Sequence, residues 1–467
     1  MHSILSTTLA SMLIGGTLAA QWAEATPTPA PSARKAAVMA YDPFSDSVLL
    51  FGGFGGTGLG TMYNDTWTYD GTNWTQRAPA TSPPAKFFSS VAFDLGRQVF
   101  VLYGGNATYT SPGTNDTWEY DGATWTQRFP ANNPGTLGLH AMAYDSARNR
   151  VVLYGGMPGG NPIVDSNQTW EYDGVDWTLR TPATNPGRLE AHAMCFHAGL
   201  GKTILFGGVN ATSGAPLPVD TDKTWAWDGT NWAELPVSGV RPPKRERASM
   251  AYDPVRQVCV LVGGMHYSNG QPRNDTWELQ FDGATWTWTE RVTPGLPANF
   301  YRFHSTLAFM IADRQMVQFG GVRGSSTYYG DTSEYGARHG AFGVGCAGSN
   351  GVPTLAATDA PRLGEPWTLH VGNLHPSFNF AVIVVGLTQV PGIDLGPLLG
   401  MTGCFAYQPP DLLVTAPAGT GGATDWVWSS VAGPFGASLY CQALCLDPAA
   451  NMFGFTITNA VAATIGY

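Results

Sequence analysis

With 467 residues, only 12% of them charged, and 58 glycines, 34 prolines and 16 tryptophans, the chain is built for turns and aromatic strands rather than amphipathic helices. Its 24 basic residues are outnumbered by 34 acidic ones, a formal charge of -10, which speaks against the basic stripe that nucleic-acid binding requires. The length exceeds one compact core, so more than one domain is expected.

Residues 1–20, MHSILSTTLASMLIGGTLAA, are apolar or small and end in the small-residue run that a signal peptidase accepts. The n-region holds His2 where Lys or Arg is usual, and Arg34 is the first Lys or Arg of the chain. We read a secretory signal cleaved after Ala20, and a secreted or cell-envelope location. The apolar stretch of about 15 residues is short for a membrane span. No later segment reaches spanning length, so none is expected in the mature chain.

From there a Gly-Gly pair closes an apolar strand again and again, starting at Gly52, Gly104, Gly155, Gly207, Gly263 and Gly320, with spacings of 52, 51, 52, 56 and 57 residues. The third unit is the clearest copy. An alternating strand HAMAYD (His140 to Asp145) leads through a turn to VVLYGG, and after a variable loop come QTWEYDG (Gln168 to Gly174) and a strand starting at Trp177. Period-2 apolar runs bounded by Gly, Asp and Asn predict four strands per unit, with Asp-Gly as the hairpin signal. Such units bury their faces only by radial stacking.

The double glycine, followed by an aromatic and a downstream Trp, resembles the Kelch family, whose period is roughly 50 residues. The tryptophan pairs are Trp67 and Trp74, Trp118 and Trp125, Trp170 and Trp177, Trp225 and Trp232, and Trp277 and Trp286, the last with two extra residues between them. The sixth unit has DTSEYG (Asp331 to Gly336) without the Trp, and no fourth strand follows it. The missing strand aligns at the other end. QWAEATPTPAPSAR (Gln21 to Arg34) matches NWTQRAPATSPPAK (Asn73 to Lys86) without gaps, and Trp22 lies 52 residues before Trp74. The expected fold is therefore all-β: a six-bladed Kelch-type β-propeller over residues 21–341, closed by its N-terminal strand, followed by a smaller β-sandwich over residues 342–467.

In that topology the first-to-second and third-to-fourth turns share one face and are short. The second-to-third loops share the other face with the connections between units, and they vary in length. Variable loops on a rigid scaffold are where recognition usually resides. Basic residues recur just before the first strands: Arg34, Lys86, Arg188, Arg245 with Arg247, and Arg302. Two readings stand side by side. Either the cations cluster at the channel mouth and receive a carboxylate or sulfate, with Tyr109, Tyr267 and Tyr328 stacking on sugar rings, or each ties adjacent blades by bonding backbone carbonyls. The Asn-Asp-Thr triplets at Asn64, Asn115 and Asn274 fit the N-glycosylation pattern, as do Asn73, Asn106, Asn167 and Asn210. Their fixed repeat phase favours side chains that cap a strand through local backbone bonds.

No HExxH, GxSxG or Walker signature occurs, and no cofactor or metal is expected. His140 and His192 share one repeat position and read as structural. A copper-radical oxidase of the galactose-oxidase kind needs a Tyr-Cys crosslink, whereas Cys195 and Cys259 lie on apolar strands and read as core. Periplasmic sialic acid mutarotases are six-bladed Kelch proteins that use Glu and Arg at the channel. Here Glu190 and Glu246 beside Arg188 and Arg245 are the counterparts. The leading expectation is a non-enzymatic extracellular protein whose variable face binds a glycan or a protein. A sugar mutarotase and a structural envelope component are the alternatives.

Beyond about residue 341 the period is lost and about seven strands are expected. Cys346, Cys404, Cys441 and Cys445 form an even set that suggests two disulfides in an exported domain. On one straight strand Cys441 and Cys445 lie roughly 13 Å apart, too far to join. A bulge between them reverses that inference.

Overall fold

The computed structural model describes residues 21–56, 60–108, 113–158, 164–210, 219–291, 300–311, 315–324 and 326–336, together with strand segments between residues 340 and 464. Apart from one short 3-10 turn, Ala198–Leu200, the described elements are strands. None is a helix long and apolar enough to cross a membrane.

Residues 21–311 and 315–336 form one compact unit. It contains six antiparallel sheets of four main strands each, one per repeat. In the third, Ala141–Asp145, Arg150–Tyr154, Thr169–Tyr172 and Trp177–Arg180 pair in chain order. The second strand is largely apolar on both faces, because it lies mid-sheet between neighbouring sheets, although the fourth and sixth repeats also bury Thr203 and Gln318 there. Val151, Val152, Leu153 and Tyr154 are wholly buried. The first strands touch in sequence, Val38–Asp42 against Ser90–Asp94, then Ala141–Asp145, Ala193–His197, Ser249–Asp253 and Thr306–Met310, which in turn touches Val38–Asp42. The sixth sheet takes Gln21–Ala25 as its outer strand, in register with Thr332–Gly336 and with Trp22 opposite Tyr335.

Two hydrogen-bond cycles hold the sheets to one another. In the outer one, the indole of each fourth strand donates to a threonine on the third strand of the preceding repeat. Trp74 reaches Thr332, Trp125 Thr66, Trp177 Thr117, Trp232 Thr169, Trp288 Thr224 and Trp22 Thr276, at 2.8–3.1 Å. A buried indole N–H needs such a partner. Three of these acceptors, Thr66, Thr117 and Thr276, are the Thr of the Asn-Asp-Thr triplets, and this bond stands in place of the local backbone cap expected from sequence. In the fifth repeat Trp288 fills this place rather than Trp286. Strands Thr276–Phe281 and Trp286–Arg291 run longer there, and Trp286 packs on Phe281 with ring centres 4.9 Å apart.

In the inner cycle the second glycine of each pair donates to the backbone of the next repeat. Gly53 bonds the carbonyl of Lys86, Gly208 that of Arg245, Gly264 that of Arg302, and Gly321 that of Arg34. Glycine is obligatory on steric grounds. A Cβ on Gly208 would sit 2.8 Å from the His192 Cβ and 2.9 Å from the Glu190 carbonyl oxygen, with φ at +94°, and one on the preceding Gly207 would sit 2.6 Å from the Arg245 carbonyl oxygen.

Residues from 337 onward fall in a separate unit. Its described strands make a five-stranded sheet that includes Gly340–Phe342, Ala381–Gly386, Ser438–Leu446 and Phe455–Thr464, a three-stranded sheet around Trp367–Gly372, and a two-stranded pair. Cys441 and Cys445 share strand Ser438–Leu446, whose register against Phe455–Thr464 shifts between Gln442 and Leu444. The extra residue lies in Phe455–Thr464, while on its other side Cys441 to Cys445 pair in unbroken register with Val385 to Ala381, so the strand that holds both cysteines stays regular between them. Cys346 and Cys404 lie outside the described residues.

Candidate binding site at the mouth of the central cavity

Two residues after each recurrent cation position the backbone turns left-handed. Ala36, Phe88, Leu139, Ala191, Arg247 and His304 have φ between +53° and +60°. Each donates its N–H to the carbonyl of the equivalent residue in the preceding repeat, and Ala36 donates to His304, so that six bonds of 2.7–3.4 Å close a circle. Non-glycine residues rarely adopt this conformation, and here the bonds on both sides hold it. The circle rims a cavity of about 190 Å³ lined by the first strands of all six repeats.

The cations just ahead of this circle are committed elsewhere, which corrects the ligand-binding expectation for four of them. Arg34, Arg245 and Arg302 are buried and grip Asp65, Asp275 and Asp331 with both terminal nitrogens, while also donating to the carbonyls of Gly52, Gly263 and Gly320. Lys86 is buried likewise and donates from its one Nζ to both carboxylate oxygens of Asp116, at 2.8 and 2.7 Å. The physical reason is local: each aspartate stands just before the third strand of the same repeat, and in repeats one, two and five it also accepts the indole N–H of Trp67, Trp118 or Trp277. In the third and fourth repeats both members of the pair are replaced, by Leu137 with Gln168 and by Leu189 with Lys223. Arg188 lies one residue outside this position. It is exposed and donates to the carbonyl of Asp165.

Of the three tyrosines, Tyr328 is half-buried and meets Phe54 edge-on at 5.9 Å, with the Lys35 ammonium 5.8 Å from its ring. Tyr267 is half-buried, and its backbone N–H donates to Asp220. Tyr109 lies outside the described residues.

The residue that gathers the mouth together is Arg247. Its Nε is 3.5 Å from the Glu246 carboxylate, its Nη1 is 3.5 Å from Met265 Sδ, and its guanidinium lies 6.0 Å from the Phe303 ring. Burial pushes the Glu190 carboxyl up to about 8, aided by Asp165 and opposed by Arg247. Burial likewise pushes Glu246 up to about 6, against the pull of Arg247. Lys35 is lowered by burial and then by Arg247, and His304 is lowered well below its ordinary value by burial, Arg247 and Lys35. The other side of the mouth is apolar. Ala36, Phe54 and Phe87 pack with Phe88, and Tyr328 joins them to Met265, Phe303 and Val322. Deeper in the cavity lining, burial holds His140 and His192 down to about 3, edge-on to Tyr103 and Tyr154.

A family model described as the KLHDC2/KLHL20/DRC7 Kelch-repeats domain matches residues 130–321. Over this stretch, which carries Leu139, Glu190, Ala191, Glu246, Arg247 and His304, the chain is similar to a Kelch-repeat domain. Kelch repeats generally mediate protein–protein binding and are typically not catalytic.

Proposed function

We propose that the chain is an exported interaction protein. Residues 21–341 form a six-bladed Kelch propeller closed by the strand Gln21–Ala25, and residues 342–467 form a β-sandwich. The propeller receives a segment of a partner protein at the mouth of its central cavity. One observation carries this reading: the backbone of the six-residue circle repeats faithfully, while its side chains, Ala, Phe, Leu, Ala, Arg and His, do not. The glycine pairs and the threonines and tryptophans of the outer cycle keep their residue type in all six repeats, whereas these positions differ where the cavity opens, which suits recognition of one asymmetric ligand.

Peptides selected by phage display against the full chain test this. Selected binders are expected to weaken at least tenfold on Phe88→Ala and Leu139→Ala and to ignore Asp173→Asn in a short turn of the opposite face. Binders insensitive to both mouth substitutions, or an empty selection, overturn the reading. A glycan ligand is the outcome if arrays of oligosaccharides bind where peptides do not. Export and closure are tested by the mass of the secreted protein, since a mature terminus beyond Trp22 removes the closing strand.

The raised Glu190 and Glu246 carboxyls beside one guanidinium favour a second reading, a sugar mutarotase with these groups exchanging protons. The cation concerned is Arg247 rather than Arg188 or Arg245. Anomer interconversion followed by NMR, lost in Glu190→Gln, would support it.

A further inference from the structure

Immediately before the left-handed circle, the six repeats carry Lys35, Phe87, Gly138, Glu190, Glu246 and Phe303. Two neighbouring repeats thus bring a carboxyl to a position that elsewhere holds a phenylalanine, a glycine or a lysine. Glu190 is 5% exposed and Glu246 1%. Oε2 of Glu190 and both carboxylate oxygens of Glu246 are buried without a hydrogen-bond partner. Arg247 Nε stands 3.5 Å from Glu246 Oε2 as an ion pair without a hydrogen bond.

Buried carboxylates without donors are costly and are retained where something completes them. The surroundings supply too little positive charge. Asp165 stands near Glu190 and Asp220 near Glu246. Asp220 in turn faces His266 at 3.5 Å and the charge of Arg273, which Asp275 shares. Lys35 and His304 are on the far side of Arg247, and burial disfavours the charged form of both. One guanidinium therefore answers two carboxyls.

We infer that Glu190 and Glu246 together seat a positively charged group of the ligand, an alkylammonium or guanidinium, at one side of the cavity mouth. This rests on the reading of the mouth as the binding site and adds to it the chemistry of one anchor. A lysine or arginine side chain of a partner segment fits. Its aliphatic stem runs along the apolar wall of Met265 and Phe303, and its head donates to the carboxyl oxygens that lack a hydrogen-bond donor.

The test titrates the full chain with Nα-acetyl-lysine amide and with its neutral counterpart Nα-acetyl-norleucine amide by calorimetry. Saturable binding of the lysine probe is expected in the millimolar range, tightening between pH 5 and pH 9 as the carboxyls ionise. It should be at least fivefold tighter than that of the norleucine probe, and lost to that extent in the Glu190→Gln/Glu246→Gln variant. Arg247→Gln removes the internal competitor and is expected to strengthen lysine binding, an outcome that a misfolded variant does not give. Equal binding of the two probes, no binding of either, or weakening in Arg247→Gln overturns the inference. Phage-selected peptides that depend on Phe88 but lack basic residues also overturn it while leaving the mouth as the binding site. An empty selection with a bound lysine probe does the reverse.

Discussion

The indole Nε1 of Trp22 donates to Thr276 Oγ1 at 2.8 Å, joining residues 254 positions apart. Trp22 also packs on Tyr335 and Phe300 at 5.1 and 5.5 Å, so the first described strand sits in the sixth sheet with the contacts that Trp74, Trp125 and Trp177 make in theirs.

Trp22→Ala is expected to destabilise the repeat unit by about 3–5 kcal/mol through lost aromatic packing. Thr276→Val should cost about 1–3 kcal/mol, by leaving the indole donor unpaired. Because the two share one contact, the double variant should fall short of the sum. Urea unfolding monitored by tryptophan fluorescence measures all three.

Arg245→Leu leaves the Asp275 carboxylate, and Asp275→Gln leaves a guanidinium, uncompensated in a buried setting. Each single change is expected to cost about 3–5 kcal/mol. The double variant recreates the Leu137 and Gln168 pair of the third repeat and should recover most of that loss. A double-mutant cycle with additive losses would show that the pair is not coupled.

At Gly207 an alanine Cβ would lie 2.6 Å from the Arg245 carbonyl oxygen, on backbone with positive φ. Gly207→Ala should therefore lower stability by more than Gly239→Ala. A Cβ on Gly239 meets nothing within 4 Å. Strained backbone alone accounts for about 1 kcal/mol at both sites, and the carbonyl contact adds to it only at Gly207. Paired thermal melts give the difference.

His140 and His192 are held neutral down to about pH 3, against an ordinary value of 6.5. Between those values the unfolded chain binds protons that the folded one does not, so stability falls as pH drops below 6.5, by about 1.4 kcal/mol per pH unit for each histidine. Glu190 acts with the opposite sign. Its carboxyl is raised from 4.5 to about 8, so its contribution is present at low pH and is lost as pH rises through that window. Urea midpoints across pH 4 to 9 should show a decline on the alkaline side that Glu190→Gln flattens and a decline on the acid side that His140→Gln reduces.

Much of the frame could be read from the chain because it repeats. The Gly-Gly pairs and the alignment of Trp22 one period before Trp74 located strands whose partners are hundreds of residues away. The cations were harder. Repeat phase placed Arg34, Lys86, Arg245 and Arg302 near the mouth, but their burial follows from the aspartates at 65, 116, 275 and 331. The usable signal was the paired loss at Leu137 with Gln168 and Leu189 with Lys223. Arg247 left no such trace. The left-handed circle is imposed by hydrogen bonds between repeats, and nothing in the local preferences of Phe88, Leu139, Arg247 or His304 announces it. Trp288 was missed because a longer hairpin shifts the repeat register by two residues.

The position of Gln21–Ala25 has a consequence in time. These residues leave the ribosome ahead of every other strand described, yet their partner Thr332–Gly336 follows about 300 residues later. Every other outer strand can dock as soon as its own hairpin emerges. This one must wait, unpaired and with Trp22 uncovered, until the last sheet has been made, and contacts of such separation form slowly. Assembly of the array should therefore be all-or-none at its seam, with the oldest of the described strands setting the moment at which the molecule becomes stable.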